Sequence, residues 1–159
     1  MAVRLRPSRP DDIEFITTLE RHPDNIDSIG QWSDAEHFSA IAGEQRREHW
    51  IIESDGARAG YLIAYDCRGA GAGFYVKRVL VESKGKGIGS AALRQFSERA
   101  FALDGVACVW LIVRAENVRA QALYSRMGFV RFDPAPEEAY DSIAEAPQAR
   151  AFRMRLAGR

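Results

Sequence analysis

The stretch ESKGKGIGSAAL, residues 82–93, places three glycines and two lysines immediately before an apolar, alanine-rich run. Glycines let a backbone approach a ligand closely, and the first N–H groups of a helix have no acceptor within the helix. These N–H groups, together with the positive end of the helix dipole, favour a bound phosphate. The stretch therefore predicts a phosphate-binding loop at the start of a helix.

Spacing separates the known types of phosphate loop. A Walker A loop needs GK followed by Ser or Thr, which is absent because Gly87 is followed by Ile88. Residues 87–92 match the dinucleotide pattern GxGxxA, but that pattern also needs an acidic residue at the end of the next strand. Glu116, just beyond that strand, is an imperfect substitute. A nicotinamide site and a plain turn with solvated lysines stay open as alternatives.

The chain before this loop predicts an antiparallel start to the fold. The Asp55-Gly56 dipeptide favours a tight hairpin turn, and His22-Pro23 and Ser33 are typical of a helix end and a helix cap. The predicted elements are a strand over Val3–Pro7, a helix from Pro10 to His22, a helix from Ser33 to about Arg47, and strands over Trp50–Glu53 and Ala59–Asp66.

The second half predicts a parallel crossover. An apolar stripe from Ile88 to Leu103 indicates a helix packed on a sheet, and it lies between two strands rich in β-formers. The predicted elements are strands over Phe74–Val81 and Ala107–Val113, a helix over Asn117–Met127, and strands over Phe129–Phe132 and Ala151–Leu156. The fold class is therefore α/β, as one domain over residues 1–159 with a mixed sheet and flanking helices.

Composition excludes several classes of function. The chain has 159 residues with 22 basic and 22 acidic side chains, a balance that argues against nonspecific nucleic-acid or membrane binding. Cys67 and Cys108 lie in apolar stretches without CxxC spacing, which predicts small buried hydrophobes in a reducing compartment. No run approaches the roughly 18 apolar residues of a membrane span. The expected location is the cytoplasm.

Two signature regions resemble those of the GNAT superfamily of N-acetyltransferases. The first carries the family pattern [Q/R]xxGx[G/A] over residues 84–89, with Lys84 in the first place. The second carries the family's Asn, Ala, Leu-Tyr and Gly-Phe series as Asn117, Ala120, Leu123-Tyr124 and Gly128-Phe129. Together they cover about residues 77–132, in the order and spacing of the family.

The resemblance implies acetyl-CoA as the acetyl donor. Backbone N–H groups from Gly85 through Lys86, Gly87, Ile88 and Gly89 to Ser90 would bind the pyrophosphate, with added attraction from Lys84 and Lys86. The strand segment Val79, Leu80 and Val81 would bind the pantetheine arm where two parallel strands diverge. A backbone N–H near Leu80 or Val81 would face the oxyanion, and Asn117 would contact the arm from the other side.

The resemblance also implies an acid for the leaving thiolate. Tyr124 matches the family's proton-donating tyrosine; its alternative role is packing between helix and sheet. Members of the family often have a glutamate that acts as the base on one of the diverging strands, but in this sequence Ile112 and Gly73 or Tyr75 occupy those positions. Glu82 and Glu116 are the nearest carboxylates by sequence and are the candidate bases, beside a chain of waters.

The acceptor region is predicted at residues 22–38. Trp32 and Phe38 offer apolar surface there, and Asp24, Asp27 and Asp34 offer carboxylates for an amine. Acidic residues 137, 138, 141 and 145 are a second group that could attract an amine. His22, His37 and His49 lack metal-ligand spacing, so they are expected on the surface with no metal bound.

Two classes of function follow. The first is an enzyme that acetylates a primary amine by direct attack on acetyl-CoA. The second is a catalytically silent acyl-CoA-binding module of the same fold, which would not need Tyr124. The expected partners are acetyl-CoA and an amine-bearing acceptor, with no nucleic acid or membrane, and a homodimer is allowed.

Overall fold

The computed structural model describes residues 2–26, 29–135, 140 and 150–158. Seven strands form one mixed sheet in the order β1-β2-β3-β4-β5-β7-β6. The strands are β1 Val3–Pro7, β2 Arg47–Ser54, β3 Ala57–Asp66, β4 Phe74–Val81, β5 Cys108–Arg114, β6 Val130–Phe132 and β7 Ala151–Ala157. The helices are α1 Ile13–Arg21, α2 Asp34–Ile41, α3 Ile88–Phe101 and α4 Val118–Arg126.

The chain folds into two compact units, and each is described by itself. The first unit comprises Met1–Ala64 and Arg78–Gln95, and the second comprises Tyr65–Lys77 and Phe96–Arg159. That the whole chain acts as one acetyltransferase domain stays a prediction.

The first unit begins with the predicted antiparallel strands. β1 pairs with β2 from Val3↔Ser54 to Pro7↔Trp50. Asp55 and Gly56 join β2 to β3 with φ angles of 52° and 83°, the left-handed conformations that a two-residue type I′ hairpin requires. The predicted hairpin is thus confirmed.

Alternation along β2 and β4 builds two apolar clusters in this unit. Ile51 and Leu80 belong to a cluster with Ile16 and Leu19 of α1. Their strand neighbours, including Ile52, Val79 and Val81, belong to another cluster with Ile88 and Ala92 of α3. Successive residues of a strand point to opposite faces, so β4 presents Leu80 to the α1 cluster and Val79 and Val81 to the α3 cluster.

The predicted second helix is too long. Ser33 is the cap as expected, since its side chain accepts a hydrogen bond from Glu36 N, but α2 ends at Ile41 and β2 already begins at Arg47. Gly43 follows the helix at a φ of 82°, the left-handed conformation in which glycine commonly ends helices. The other helix ends are close to prediction, and the strand Phe74–Val81 is as predicted.

The second unit is organised around β5 and an aromatic cluster. β5 pairs antiparallel with β7 from Cys108↔Ala157 to Arg114↔Ala151, and β7 also pairs with β6. The buried cluster contains Cys67, Ala72, Tyr75, Cys108, Trp110, Phe132 and Tyr140. Both cysteines are buried and outside any disulfide, as predicted.

β4 and β5 form the predicted parallel pair. Its register consists of Phe74↔Val109 and Tyr75↔Trp110, at the start of both strands, as expected of strands that diverge. Gly73 makes this approach possible, because a Cβ on it would lie 2.0 Å from Cys108 O. Within the described residues, no helix has the length and apolar character needed to cross a membrane.

Candidate functional site

The glycine-rich loop leads directly into α3. Gly85 and Gly87 have φ angles of 79° and 78°, which L side chains rarely adopt. Ile88, the first residue of α3, is buried and anchors the helix start in the α3 cluster. Among the described residues, no main-chain acceptor is found for the N–H groups from Gly85 to Ser90. The loop therefore presents a row of donors at the positive end of a helix.

Two lysines flank these donors on the outside. Lys84 and Lys86 are both exposed, and Lys84 Nζ donates to Val81 O at 3.3 Å. A Cβ built on Gly87 would meet only Ser90 Oγ, at 4.0 Å. The space above Gly87 is thus open, as a bound phosphate would require.

β3 approaches the end of β4 unusually closely. A Cβ on Gly60 would lie 2.1 Å from Leu80 O and 2.9 Å from Val81 Cα, and Glu82 N donates to Ala59 O at 2.8 Å. β3 therefore fixes the position of the segment Val79–Val81. Gly60 was missed by sequence reasoning, although a lone glycine inside a strand often marks such a close backbone approach.

Glu82 and Lys84 line a cleft together with residues of α1 and the loop after it. The cleft brings these two residues together with Phe15 and Leu19 on the apolar side and with His22, Asp24 and Asn25 on the polar side. The start of the predicted acceptor segment thus lies beside one of the two predicted bases. Of the other acceptor candidates, Trp32 packs in the α1 cluster, Phe38 and Asp34 are exposed, and Asp27 and the acids at 137, 138, 141 and 145 lie outside the described residues.

Glu116 and Asn117 lie at the start of α4, in the second unit. The Asn117 side chain accepts a hydrogen bond from Ala120 N at 3.1 Å and so caps the helix. Glu116 is exposed and lies 3.8 Å from Arg114. The helix cap accounts for the position of the Asn117 side chain without any ligand. The contact of Asn117 with the pantetheine arm stays a prediction.

Tyr124 lies about two turns further along α4 and is half-buried. Its ring centroid is 5.8 Å from that of the buried Phe129, and burial raises the pKa of its hydroxyl. Among the described residues, no hydrogen bond engages this hydroxyl. The hydroxyl of Tyr124 is therefore neutral at physiological pH.

A chain of buried polar side chains crosses the first unit. Ser8 Oγ is 2.7 Å from His49 Nδ1, His49 Nε2 is 3.1 Å from His37 Nδ1, and His37 Nε2 is 3.0 Å from Glu20 Oε1. Because a carboxylate only accepts, His37 donates to Glu20. Tyr61 donates to the other carboxylate oxygen at 2.6 Å, as Arg78 Nη1 does at 2.5 Å.

The prediction of surface histidines is wrong for two of the three. His22 is 55% exposed, as expected, but His37 and His49 are buried. The burial of His49 could have been predicted from the two-residue period of β2, because His49 lies on the same strand face as Arg47 and Ile51, which are also buried. Glu20 likewise follows Ile16 by one turn on the buried face of α1.

Burial and charge set the protonation of this chain. Desolvation alone would raise the pKa of Glu20, but hydrogen bonds from His37 and Tyr61 and the charge of Arg78 outweigh it and hold the pKa below its usual range. Burial, helped by the charges of His37 and Arg78, lowers the pKa of His49 to about 3, against the opposing pull of Glu20 and Asp12. Glu20 is therefore ionised and His49 neutral near pH 7.

No group of three His, Cys, Asp or Glu side chains suited to a metal ion is found in the described part of the chain. The buried chain links two histidines to one carboxylate through hydrogen bonds, in which each polar atom already has a protein partner.

Comparison with known structures shows the fold. The chain resembles the ribosomal-protein-S18-alanine N-acetyltransferase from Escherichia coli, with 21% identity, a TM-score of 0.69, and coverage of 98% of this chain and 94% of that one. It resembles the PaiA N-acetyltransferase from Thermoplasma acidophilum, solved with coenzyme A, at 15% identity, a TM-score of 0.73, and 99% coverage of both chains. It also resembles a spermidine/spermine N-acetyltransferase from Vibrio cholerae, at 18% identity, a TM-score of 0.70, and coverage of 98% and 92%.

A search of curated proteins finds no match. A scan against protein families matches residues 13–129 to the Acetyltransferase (GNAT) family, which uses acetyl-CoA. The match includes the glycine-rich loop, the end of β4 and all of α4, the places where the residue patterns pointed. This chain belongs to the GNAT family of acetyltransferases.

Proposed function

We propose that this chain transfers the acetyl group of acetyl-CoA to a primary amine. The observation that carries the proposal is the row of N–H groups from Gly85 to Ser90 at the start of α3, with two exposed lysines beside it. Such a row suits a pyrophosphate, and acetyl-CoA is the cosubstrate of the family. We assign cofactor binding to the residues predicted from the sequence, which are Val79 to Val81, Lys84 to Ser90, Asn117 and Tyr124.

The chemistry needs an oxyanion donor and a proton donor. The amine attacks the thioester carbonyl, the tetrahedral intermediate collapses, and the C–S bond breaks to release the thiolate of CoA. We assign the oxyanion to a backbone N–H near Leu80 or Val81 and the thiolate proton to Tyr124. The close approach of Gly60 to Leu80 supports the first role, because it holds that backbone rigidly, and the raised pKa of Tyr124 supports the second.

The attacking amine must also lose a proton. For an amine with a pKa of about 10.4, deprotonation at pH 7 costs about 4.6 kcal/mol. Glu82 is the candidate base that the cleft favours, since Asp24 and His22 line the same cleft and could hold a cationic amine nearby. Glu116, exposed beside Arg114, and a chain of waters are the alternatives.

The similar structures support an amine as acceptor without choosing among amines. One is named for spermidine and spermine and another for the alanine of a ribosomal protein. Their acceptors share only an amine, and the identities are too low to carry either acceptor over.

The test is a screen of amines for thiol release from acetyl-CoA, followed by Tyr124→Phe with the best acceptor. We expect kcat to fall by about 10²–10⁴-fold with little change in the KM of acetyl-CoA, because a positioned acid is lost while the ring remains. Near-normal turnover would show that Tyr124 only packs. Acetyl-CoA binding without turnover of any amine would favour the silent module instead.

Glu82→Gln and Glu116→Gln separate the candidate bases. The variant that lacks the base should lose rate at neutral pH and recover it as the pH approaches the pKa of the amine. If the dependence of rate on pH is unchanged in both variants, neither glutamate is the base and the amine loses its proton to water.

A further inference from the structure

Two arginines of the first unit contact the same tryptophan ring. The Cζ atoms of Arg47 and Arg78 lie 5.2 Å and 5.6 Å from the centroid of Trp32. Both side chains are more than nine-tenths buried, at 1% and 9% exposure. They differ in how many of their hydrogen-bond donors are in use.

Arg47 is saturated. Its three guanidinium nitrogens donate to Glu44 O at 3.1 Å, to Glu36 Oε1 at 2.6 Å and to Ser39 Oγ at 2.7 Å. These bonds tie α2 and the turn after it to the first residue of β2. Arg47 therefore has a structural role that is complete without a ligand.

Arg78 is engaged through one nitrogen. Its Nη1 donates to Glu20 Oε2 at 2.5 Å and to Tyr61 Oη at 3.3 Å. Among the residues the structure describes, Nε and Nη2 have no acceptor. Those two N–H groups lie along one edge of the planar guanidinium and point the same way, which is the geometry that binds both oxygens of a carboxylate.

Space is available beside this edge. Gly30 is exposed, and a Cβ built on it would lie 3.4 Å from Arg78 Nη2, so even one methyl group would begin to fill the space next to the donor. Trp32 supplies an apolar wall through its contact with the same guanidinium. The surroundings thus suit a small carboxylate attached to an apolar frame.

The edge is held in place before any ligand arrives. Glu20, which holds Arg78, is 1% exposed and is itself fixed by Tyr61 and by the chain through His37 and His49. Preorganised donors lose little freedom on binding. Because Glu20 also balances the charge of Arg78, the edge selects for the shape of a carboxylate more than for negative charge alone.

The position of Arg78 connects this edge to acetyl transfer. Arg78 directly precedes Val79–Val81 on β4 and lies on the same face as Leu80, about 6.6 Å away along the strand. We propose that the Nε–Nη2 edge of Arg78 binds the carboxylate of the acceptor, so that the acceptor is an amino acid or a close analogue with its amine near its carboxylate. This inference rests on the proposed acetyl transfer.

Matched pairs of acceptors test it. The wild type is assayed with acetyl-CoA and each proteinogenic L-amino acid, and with the corresponding amino acid amide, in which the carboxylate is neutralised. The acid is expected to be preferred, and Arg78→Lys is expected to raise the KM of the acid about 10–100-fold while the KM of the amide and both kcat values change little. Lysine keeps the charge beside Glu20 but cannot form the paired hydrogen bonds.

Two further variants provide a control and a second test. Arg47→Lys is the control at the same ring and should leave the ratio of acid to amide unchanged. Gly30→Ala keeps Arg78 and its buried partner intact, so its folding is not in question, and it should raise the KM of the acid several-fold. Equal use of acid and amide by the wild type, or equal effects of Arg78→Lys and Arg47→Lys on the ratio, would overturn the inference while acetyl transfer stands.

Direct binding separates this inference from the proposed function. Calorimetry with the CoA-bound protein and the same amino acids should show binding that Arg78→Lys weakens and Arg47→Lys does not. That result supports the carboxylate site even if no amine releases thiol, an outcome that would count against the enzyme. Absence of binding by every amino acid in the wild type overturns the site.

Discussion

The two compact units bury aromatic rings in opposite chemical settings. In the first unit, Tyr61, Trp32 and the buried histidines surround charged groups, and His49 stacks on Tyr61 at 5.5 Å. In the second, the rings surround one another, with Tyr75 stacked on Trp110 at 4.3 Å and Tyr140 against Trp110 at 4.8 Å. An apolar cluster needs only burial, whereas a polar one must match every donor and acceptor. The first unit is thus the one whose stability depends on protonation.

The largest expected effect is at the centre of the aromatic cluster. Trp110 is fully buried and donates from Nε1 to Ala72 O at 3.0 Å. Trp110→Ala should lower the free energy of unfolding by about 3–5 kcal/mol, because a large cavity forms. Urea unfolding measures it, and the loss should be the same at pH 7 and pH 5. Trp110→Phe should lower the free energy of unfolding by less. A loss that changed with pH would contradict the difference between the two units.

The next effect concerns His49 and pH. Its pKa is about 3 in the folded protein and about 6.5 when unfolded, so between these values the unfolded state binds one more proton. Stability is therefore lost as the pH falls below 6.5, by about 1.4 kcal/mol per unit, or about 2 kcal/mol at pH 5. The carboxylates titrate mainly below this window. Their unfolded pKa values lie near 4.

Urea unfolding of His49→Gln at both pH values tests this contribution. The variant should lose much less stability between pH 7 and pH 5 than the wild type does. His22→Gln is the control, since His22 is exposed, and it should behave as the wild type. An acid response that survives in His49→Gln would assign the response to another group.

The smallest expected effect compares one glycine from each unit. Gly87 and Gly105 have nearly the same φ, 78° and 80°, and neither has a neighbour closer than 4.0 Å to a built Cβ. Alanine at either position should cost about 1–2 kcal/mol of stability, from the left-handed conformation alone. Gly87→Ala alone should also weaken acetyl-CoA binding, by on the order of tenfold, or about 1.4 kcal/mol.

Calorimetric titration with acetyl-CoA measures that difference. Equal affinities of the two variants would remove the glycine-rich loop from the cofactor site. Equal stabilities show that the backbone cost was matched, so that any difference in affinity reflects the space above the loop.

Local signals predicted most of the fold. The bounds of β1 and β4, the Asp55-Gly56 turn and the Ser33 cap all depend on residues adjacent in sequence, and they are confirmed. The predicted end of α2 was wrong because the left-handed backbone of Gly43 ends the helix, although the sequence around it has a helical pattern.

The conformation of the candidate site could be predicted only where it depends on residues adjacent in sequence. The glycine-rich loop is one continuous segment, so its pattern predicts its conformation. The buried chain of Ser8, Glu20, His37, His49 and Arg78 joins five elements or their flanks, and its members stand up to 70 positions apart in a single sequence. A histidine is usually exposed or only partly buried, so the full burial of His37 and His49 becomes visible only in the assembled strands and helices.

The two buried cysteines bear on how this protein can be assayed. Cys67 and Cys108 are 0% and 6% exposed, so thiol reagents should not reach them while the chain is folded. A coloured thiol reagent would then report only the CoA released during turnover. Under denaturing conditions the same reagent would titrate two equivalents per chain. In a mixture without acetyl-CoA, a slow rise of colour would therefore record unfolding of the protein itself, which makes that blank a check on the integrity of the sample.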